Sequence, residues 1–432
     1  MKKYTNLEYA LINLLGVCLG MDKVSYEERL NYAKAHDYKR KINRMKITDD
    51  AGTVDVKQAE MINSIYLFND TKNGIGKLLM YIDMGCSGAS LQEILTKFIG
   101  CDESIVGKAM RNCEILDLYN VLFQMYSMKC KEKKVKPTAE GFEDFTRKVL
   151  KKGIIPWFYN GEAEMKKIVG KDNFEIFREV YAHALPGSEG FRKATLEGWN
   201  SKAYSYAWNA PDGAQIEFAV LGDPTRQGIN IDGMRIEYNL VENEPRPAYV
   251  DSKYKKGEMV RNEGTRCLGA NMTHSIDGYC LREVVRRVHM SKGRALSILN
   301  ACAKSEKIWT ENEFMVRLFD VYMKQNVVSV RWLYLAEKDV CKLPSVIEEE
   351  LRRIAENELG SKEFDIAVIH DAYGATVNHI NRLRQTANDV LASLYKSTIV
   401  DYWNEQLGLD IPTMEYSEEV YEQIKNAEYL FN

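Results

Sequence analysis

The chain has 432 residues, 45% of them hydrophobic, and a formal net charge of −3. That length can bury sizeable cores in two or three subdomains, and the near-neutral balance excludes a global positive field that would advertise nucleic-acid binding. The nine cysteines show no Cys-x-x-Cys or Cys/His zinc spacing and read as reduced intracellular thiols, while no stretch approaches the roughly 20 apolar residues of a membrane span.

Met1-Lys2-Lys3 ahead of the apolar stretch Tyr9 to Gly20 looks like a secretory signal, but Asn13 interrupts it and no small-residue cleavage site follows, so a short buried helix is expected. Residues 1 to 66 read as helical, with an amphipathic segment starting at Tyr26, and carry no assigned chemistry. The run from Gly76 to Asp83 is an apolar strand that ends on an Asp and then on Met84-Gly85-Cys86-Ser87-Gly88, small residues that let a ligand or backbone approach closely. Residues 91 to 200 read as helices punctuated by Gly and Pro. The Lys129 to Lys136 run reads as a solvated loop. Arg147, Lys151 and Tyr159 fall at helical spacing, two cations and an aromatic on roughly one face, although Gly153 and Pro156 weaken that helix. Such a face suits a nucleoside triphosphate, with cations on its phosphates and a ring against a base; an ordinary solvated basic helix gives the same pattern.

Residues 201 to 270 read as strands and turns. His274 lies in Asn271-Met272-Thr273-His274-Ser275-Ile276-Asp277-Gly278, where Asp277 reads as a helix start. Arg282 and Arg286 share a helical face after it and are candidates for phosphates of a template or product. The aromatics Trp309, Phe314, Phe319, Tyr322, Trp332 and Tyr334 read as core. Finally, Phe364 to Ile369 reads as a strand buried on at least one face, delivering His370 and Asp371 into a turn that includes Gly374. Two aspartates on neighbouring strands, Asp83 and Asp371, can hold two Mg²⁺ ions roughly 4 Å apart, the arrangement that clamps the oxygens of a phosphoryl transfer; singly, each is also an ordinary turn-capping Asp.

In this order, the segments around Asp83, Arg147 to Tyr159 and Asp371 resemble motifs A, B and C of the single-subunit RNA polymerases of bacteriophages and mitochondria. Trp208-Asn209-Ala210-Pro211-Asp212-Gly213 is similar to the family's opening of a β-ribbon, and the His274 segment to its sugar-sensing histidine. The resemblance spans about residues 76 to 400. It implies an α+β fold, predominantly helical, with right-hand palm and fingers. The expected regions are an N-terminal helical region at 1–75, motif A palm at 76–100, fingers at 101–200, palm ribbon and His segment at 201–289, a helical insertion at 290–360, and motif C palm with C-terminal helices at 361–432.

By the same resemblance Asp83 and Asp371 are the metal ligands for two Mg²⁺ ions, and His370 buttresses the catalytic Asp. Arg147, Lys151 and Lys152 hold phosphates, Gly88 belongs to the substrate site, and Tyr159 with His274 favours ribonucleotides. Cys86-Ser87-Gly88 and Ala372-Tyr373 depart from the DNA-polymerase pattern. A DNA polymerase or primase is the nearer alternative, and a noncatalytic nucleic-acid-binding scaffold the more distant one. The family's Asp-x-x-Gly-Arg motif, thumb and promoter domain find no match in this chain. The resemblance is greatest to the catalytic subunit of the two-chain polymerases of N-four-like phages, which implies a second subunit supplying those parts, DNA template and RNA product as partners, and the cytoplasm of an infected host as location.

Overall fold

Capping chemistry sets the first helices. In a computed structural model that describes all residues except 46–54, 139–144, 159, 201–204, 220–224, 232–233, 241–266, 370 and 432, Thr5 Oγ1 accepts from Glu8 N at 3.3 Å while Glu8 Oε2 accepts from Thr5 N at 2.8 Å. This capping box starts α1 (Asn6–Leu19), which ends at Gly20 with φ +66°. Ser25 with Glu28 and Asp55 with Gln58 repeat the device at α2 (Tyr26–Ala35) and α4 (Val56–Lys72), either side of the short α3 (Tyr38–Ile42). Tyr9, Ile12 and Leu15 of α1 are fully buried, as expected of a short core helix.

β1 (Leu79–Asp83) alternates: Met80 and Ile82 are buried while Tyr81 and Asp83 face outward. A left-handed Cys86 (φ 54°, ψ 55°) then reverses the chain into α5 (Ser87–Leu95), buried from Gly88 to its end and so enclosed on all sides. The helices α6 (Ile105–Arg111), α7 (Leu118–Glu132), α8 (Arg147–Phe158), α9 (Glu162–Val169), α10 (Lys171–Ala184) and α11 (Pro186–Glu197) follow. Trp157 of α8 packs edge-on against Phe174, Phe177 and Tyr181, with the Arg192 guanidinium 3.9 Å from its ring centre.

Two antiparallel hairpins come next, β2 (Ser205–Asn209) with β3 (Gln215–Ala219) and β4 (Thr225–Ile231) with β5 (Met234–Leu240). α12 (Leu268–Val288) runs 21 residues. The expected helix start at Asp277 is therefore corrected: Asp277 is inside α12. Its cap preference is overridden because Met272, Ile276, Tyr279 and Val284 recur at helical spacing and are all buried.

From α13 (Lys292–Ala303) through α14 (Glu313–Gln325), α15 (Arg331–Lys338) and α16 (Ser345–Asn357) the chain builds a second core around Trp332, Leu351 and Ile354. Trp309, Phe319, Tyr322 and Tyr334 pack against it, whereas Phe314, read as core, is 54% exposed. Glu283 of α12 anchors this block, accepting from Ser329 Oγ at 2.6 Å, Val330 N at 2.9 Å and Arg287 Nε at 3.1 Å.

β6 (Ala367–Ile369) and β7 (Ala372–Thr376) complete a three-stranded antiparallel sheet in the order β1-β7-β6. β6 is an edge strand: Phe364, Ile366 and Val368 put one face of this stretch against the main core, as expected, while Ile369 is 56% exposed. One expectation changes here. Gly374 belongs to β7, not to a turn: Ile369 pairs with Ala372, so the reversal lies before it, and Gly374 instead lets the Tyr81 ring approach, since a Cβ there would lie 2.6 Å from it. α17 (Ile380–Lys396), α18 (Ile399–Leu407) and α19 (Glu418–Lys425) close the chain. Buried Arg384 of α17 donates to Tyr9 Oη at 2.9 Å and to Glu428 Oε1 at 3.1 Å, tying the first and last segments to the same helix. The described residues form a mainly helical α+β fold with no helix long and apolar enough to cross a membrane.

Candidate functional site

The pairing of β1 with β7 matches Asp83 to Ala372, so Asp371, one residue earlier, arrives beside Asp83 at the same end of the sheet. Both line a cleft of about 500 Å³ with Gly85, Cys86, Ser87 and Gly88 on its floor. Asp83 keeps an exposed surface, yet the enclosing cleft wall and then the Asp371 and Asp277 charges push its carboxyl up to about 6, against a hydrogen bond from the Met84 backbone and the charge of Lys23. A carboxyl raised by burial and by a neighbouring carboxylate is one that a cation would stabilise in its charged form. Among the described residues no group of three or more His, Cys, Asp or Glu is placed to hold a metal; the carboxylates that could offer oxygens to one in this cleft include Asp83 and Asp371. That suits Mg²⁺, which takes one or two carboxylates and fills its remaining positions with water and phosphate oxygens. The Cys86 thiol, raised to about 11 by burial, stays protonated at neutral pH and is no nucleophile.

Cations face the pair from α8. Arg147 and Lys151, one turn apart, lie over the same ring, Tyr119, at 5.7 and 4.6 Å from its centre, and both line the cleft. Lys152 is exposed and outside the lining, because one helical step turns it away from its neighbour's face. Tyr159 and His370 lie outside the described residues. Gly88 forms the floor in the buried first turn of α5.

His274 is exposed on α12 and is not part of the cleft lining, but both its neighbours are pinned. Thr273 Oγ1 accepts from Gln92 of α5 at 3.0 Å, and Ser275 Oγ accepts from Trp208 Nε1 at 3.0 Å. Arg282 and Arg286 are committed to protein. Arg282 Nε and Nη2 donate to the Asp212 carboxylate at 2.7 and 2.9 Å, and Arg286 Nη1 donates to it at 2.7 Å. Asp212, with no exposed side-chain surface, is held down to about 2 by these two guanidiniums in spite of its burial.

Polar lining residues missed in the sequence include Asp22 and Lys23 between α1 and α2, and Asp117 and Tyr119 at the start of α7. Asp117 looks like any helix cap and Asp22-Lys23 like any polar turn, and no local signal separates them from others. Altogether Asp22, Asp83, Asp117 and Asp371 line the cleft with Lys23, Arg147 and Lys151, a mixed set of charges that offers carboxylates to a metal ion and cations to a polyanion. No protein-family model matches this chain, and no curated protein is significantly similar to it.

Proposed function

We propose that this chain carries the nucleotidyl-transfer centre of a right-hand, phage-type RNA polymerase that makes RNA on a DNA template from ribonucleoside triphosphates. The observation that carries the reading is the meeting of Asp83, Asp371, Arg147 and Lys151 in one cleft from three separate stretches of chain. In this reading the sheet with α5 and α17 is the palm, and residues 101–200 are the fingers.

Asp83 and Asp371 hold two Mg²⁺ ions, which when bound supply the charge that offsets the triphosphate and its leaving group. Arg147 and Lys151, joined by Lys23, receive the phosphates as charge-assisted donors. The open Gly85 to Gly88 floor lets the substrate approach the backbone. His274 and Tyr159 are assigned to sugar choice through resemblance; an imidazole can donate to or accept from a 2′-hydroxyl, the group that separates ribose from deoxyribose. By resemblance His370 supports Asp371, while Lys152, turned away from the cleft, is left out of its phosphate contacts. The resemblance assigns the arginine motif and the thumb to a second polymerase subunit.

Primed RNA extension on single-stranded DNA with Mg²⁺ and ribonucleotides tests the reading, comparing the chain alone with the chain plus extract of infected host cells. Synthesis that depends on Asp371 supports it, and preference for deoxyribonucleotides moves it to a DNA polymerase. Nucleic-acid binding with no synthesis in either condition leaves the scaffold reading instead.

A further inference from the structure

Asp117 is a cleft carboxylate to which the nucleotidyl-transfer reading gives no part. Asp117 precedes α7, and its Oδ1 accepts three hydrogen bonds: from Asn120 N at 3.1 Å, which caps the helix, and from Arg147 Nη2 at 2.7 Å and Nε at 3.2 Å. The Arg147 side chain keeps 37% of its surface exposed and Asp117 20%, so the pair is at the cleft wall rather than in the core. Arg147 therefore already gives Nε and Nη2 to one carboxylate oxygen, donors that a phosphate oxygen would also use. A ligand that takes Nε and Nη2 of Arg147 competes with Asp117 for them.

Two details make that exchange reversible. The cap bond from Asn120 N does not involve Arg147, so α7 keeps its start when the ion pair opens. The Tyr119 ring lies beside the Arg147 guanidinium and the Lys151 ammonium, and a cation over a ring keeps its place while its anion changes. We infer that Asp117 is an internal competitor for the triphosphate site, an anion built into the cleft that occupies Arg147 when no ligand is present and weakens the hold on substrate and released pyrophosphate alike. The inference rests on the nucleotide reading above. Interactions that bind substrate and transition state equally lower KM without raising kcat, and Asp117 works against such uniform binding.

Asp117→Asn isolates the effect, because Asn caps a helix as well as Asp does while carrying no charge. Inorganic tripolyphosphate is titrated calorimetrically into the full chain as wild type, Asp117→Asn, Arg147→Gln and the double variant, each first checked for an unchanged melting curve. Asp117→Asn should bind tripolyphosphate about two- to fivefold more tightly, the range of a partly exposed ion pair, and the gain should vanish in the Arg147→Gln background. An equal gain in that background would mean a general charge effect and would overturn the inference, as would unchanged or weaker binding by Asp117→Asn. Wild type that binds tripolyphosphate but ignores Asp117→Asn overturns the competitor alone. Failure of every form to bind overturns the phosphate site, and with it the nucleotide reading.

Discussion

Proton and metal compete for Asp83. Its carboxyl is raised to about 6, first by burial and then by Asp371, and Mg²⁺ binds the ionised form, so the metal displaces a proton wherever the pH lies below that value. At pH about 7 roughly nine-tenths of such a group is ionised, and at pH about 5 roughly one-tenth. Apparent Mg²⁺ affinity should therefore fall about tenfold per pH unit below about 6 and level off above it. Stability without metal runs the other way. The folded value lies above the ordinary 3.8, so the group's contribution to stability is complete below about pH 4 and is lost as pH rises through about 6. Asp83 is open to the cleft, and solvent screening keeps that change small. Calorimetric Mg²⁺ titrations in two buffers of different ionisation enthalpy count the protons released: about one near pH 5 and almost none near pH 8. Asp83→Asn should remove the release. Wild-type Mg²⁺ affinity that stays flat over this range would refute the pairing of these two carboxylates as a metal site.

Asp371→Ala should abolish primed RNA synthesis while leaving the melting temperature within a few degrees of wild type; extension at the wild-type rate removes Asp371 from the chemistry. Lys23→Gln should raise the KM for ribonucleotides several-fold with little change in kcat, which steady-state kinetics separates from a structural loss of both. Asp212→Ala strands two guanidiniums around a buried vacancy and should cost about 3–5 kcal/mol in urea unfolding; a loss under about 1 kcal/mol would show that Arg282 and Arg286 find other partners. Gly374→Ala drives a methyl into the Tyr81 ring and should cost about 1–3 kcal/mol, largely recovered in the double variant with Tyr81→Ala, as a double-mutant cycle would read out.

Much of the local structure was legible because it depends on neighbours in sequence. The alternation of Met80 and Ile82 with Tyr81 and Asp83 turns the aspartate outward, and the Arg147-Lys151 spacing puts both cations on one helical face. The apolar periodicity of 290–360 also carries its own core. What local sequence did not carry was the identity of a distant partner. Nothing near Arg282 and Arg286, read as candidates for phosphates, announces Asp212, which lies far back along the chain in a hairpin turn, and Gly374 read as a turn residue because nothing near it in sequence announces the Tyr81 ring.

By itself the sequence determined which residues could do chemistry and which way each faces along its own element, since period-2 and period-3.6 patterns are properties of a short stretch of backbone. The pairing of Asp83 with Asp371 was expected, but only the tertiary structure set the register of β1 on β7 that brings them together and decided that Asp22, Lys23 and Asp117 join them. Strand register and helix docking are set by burial summed over long-range contacts, and no local stretch of chain contains that sum.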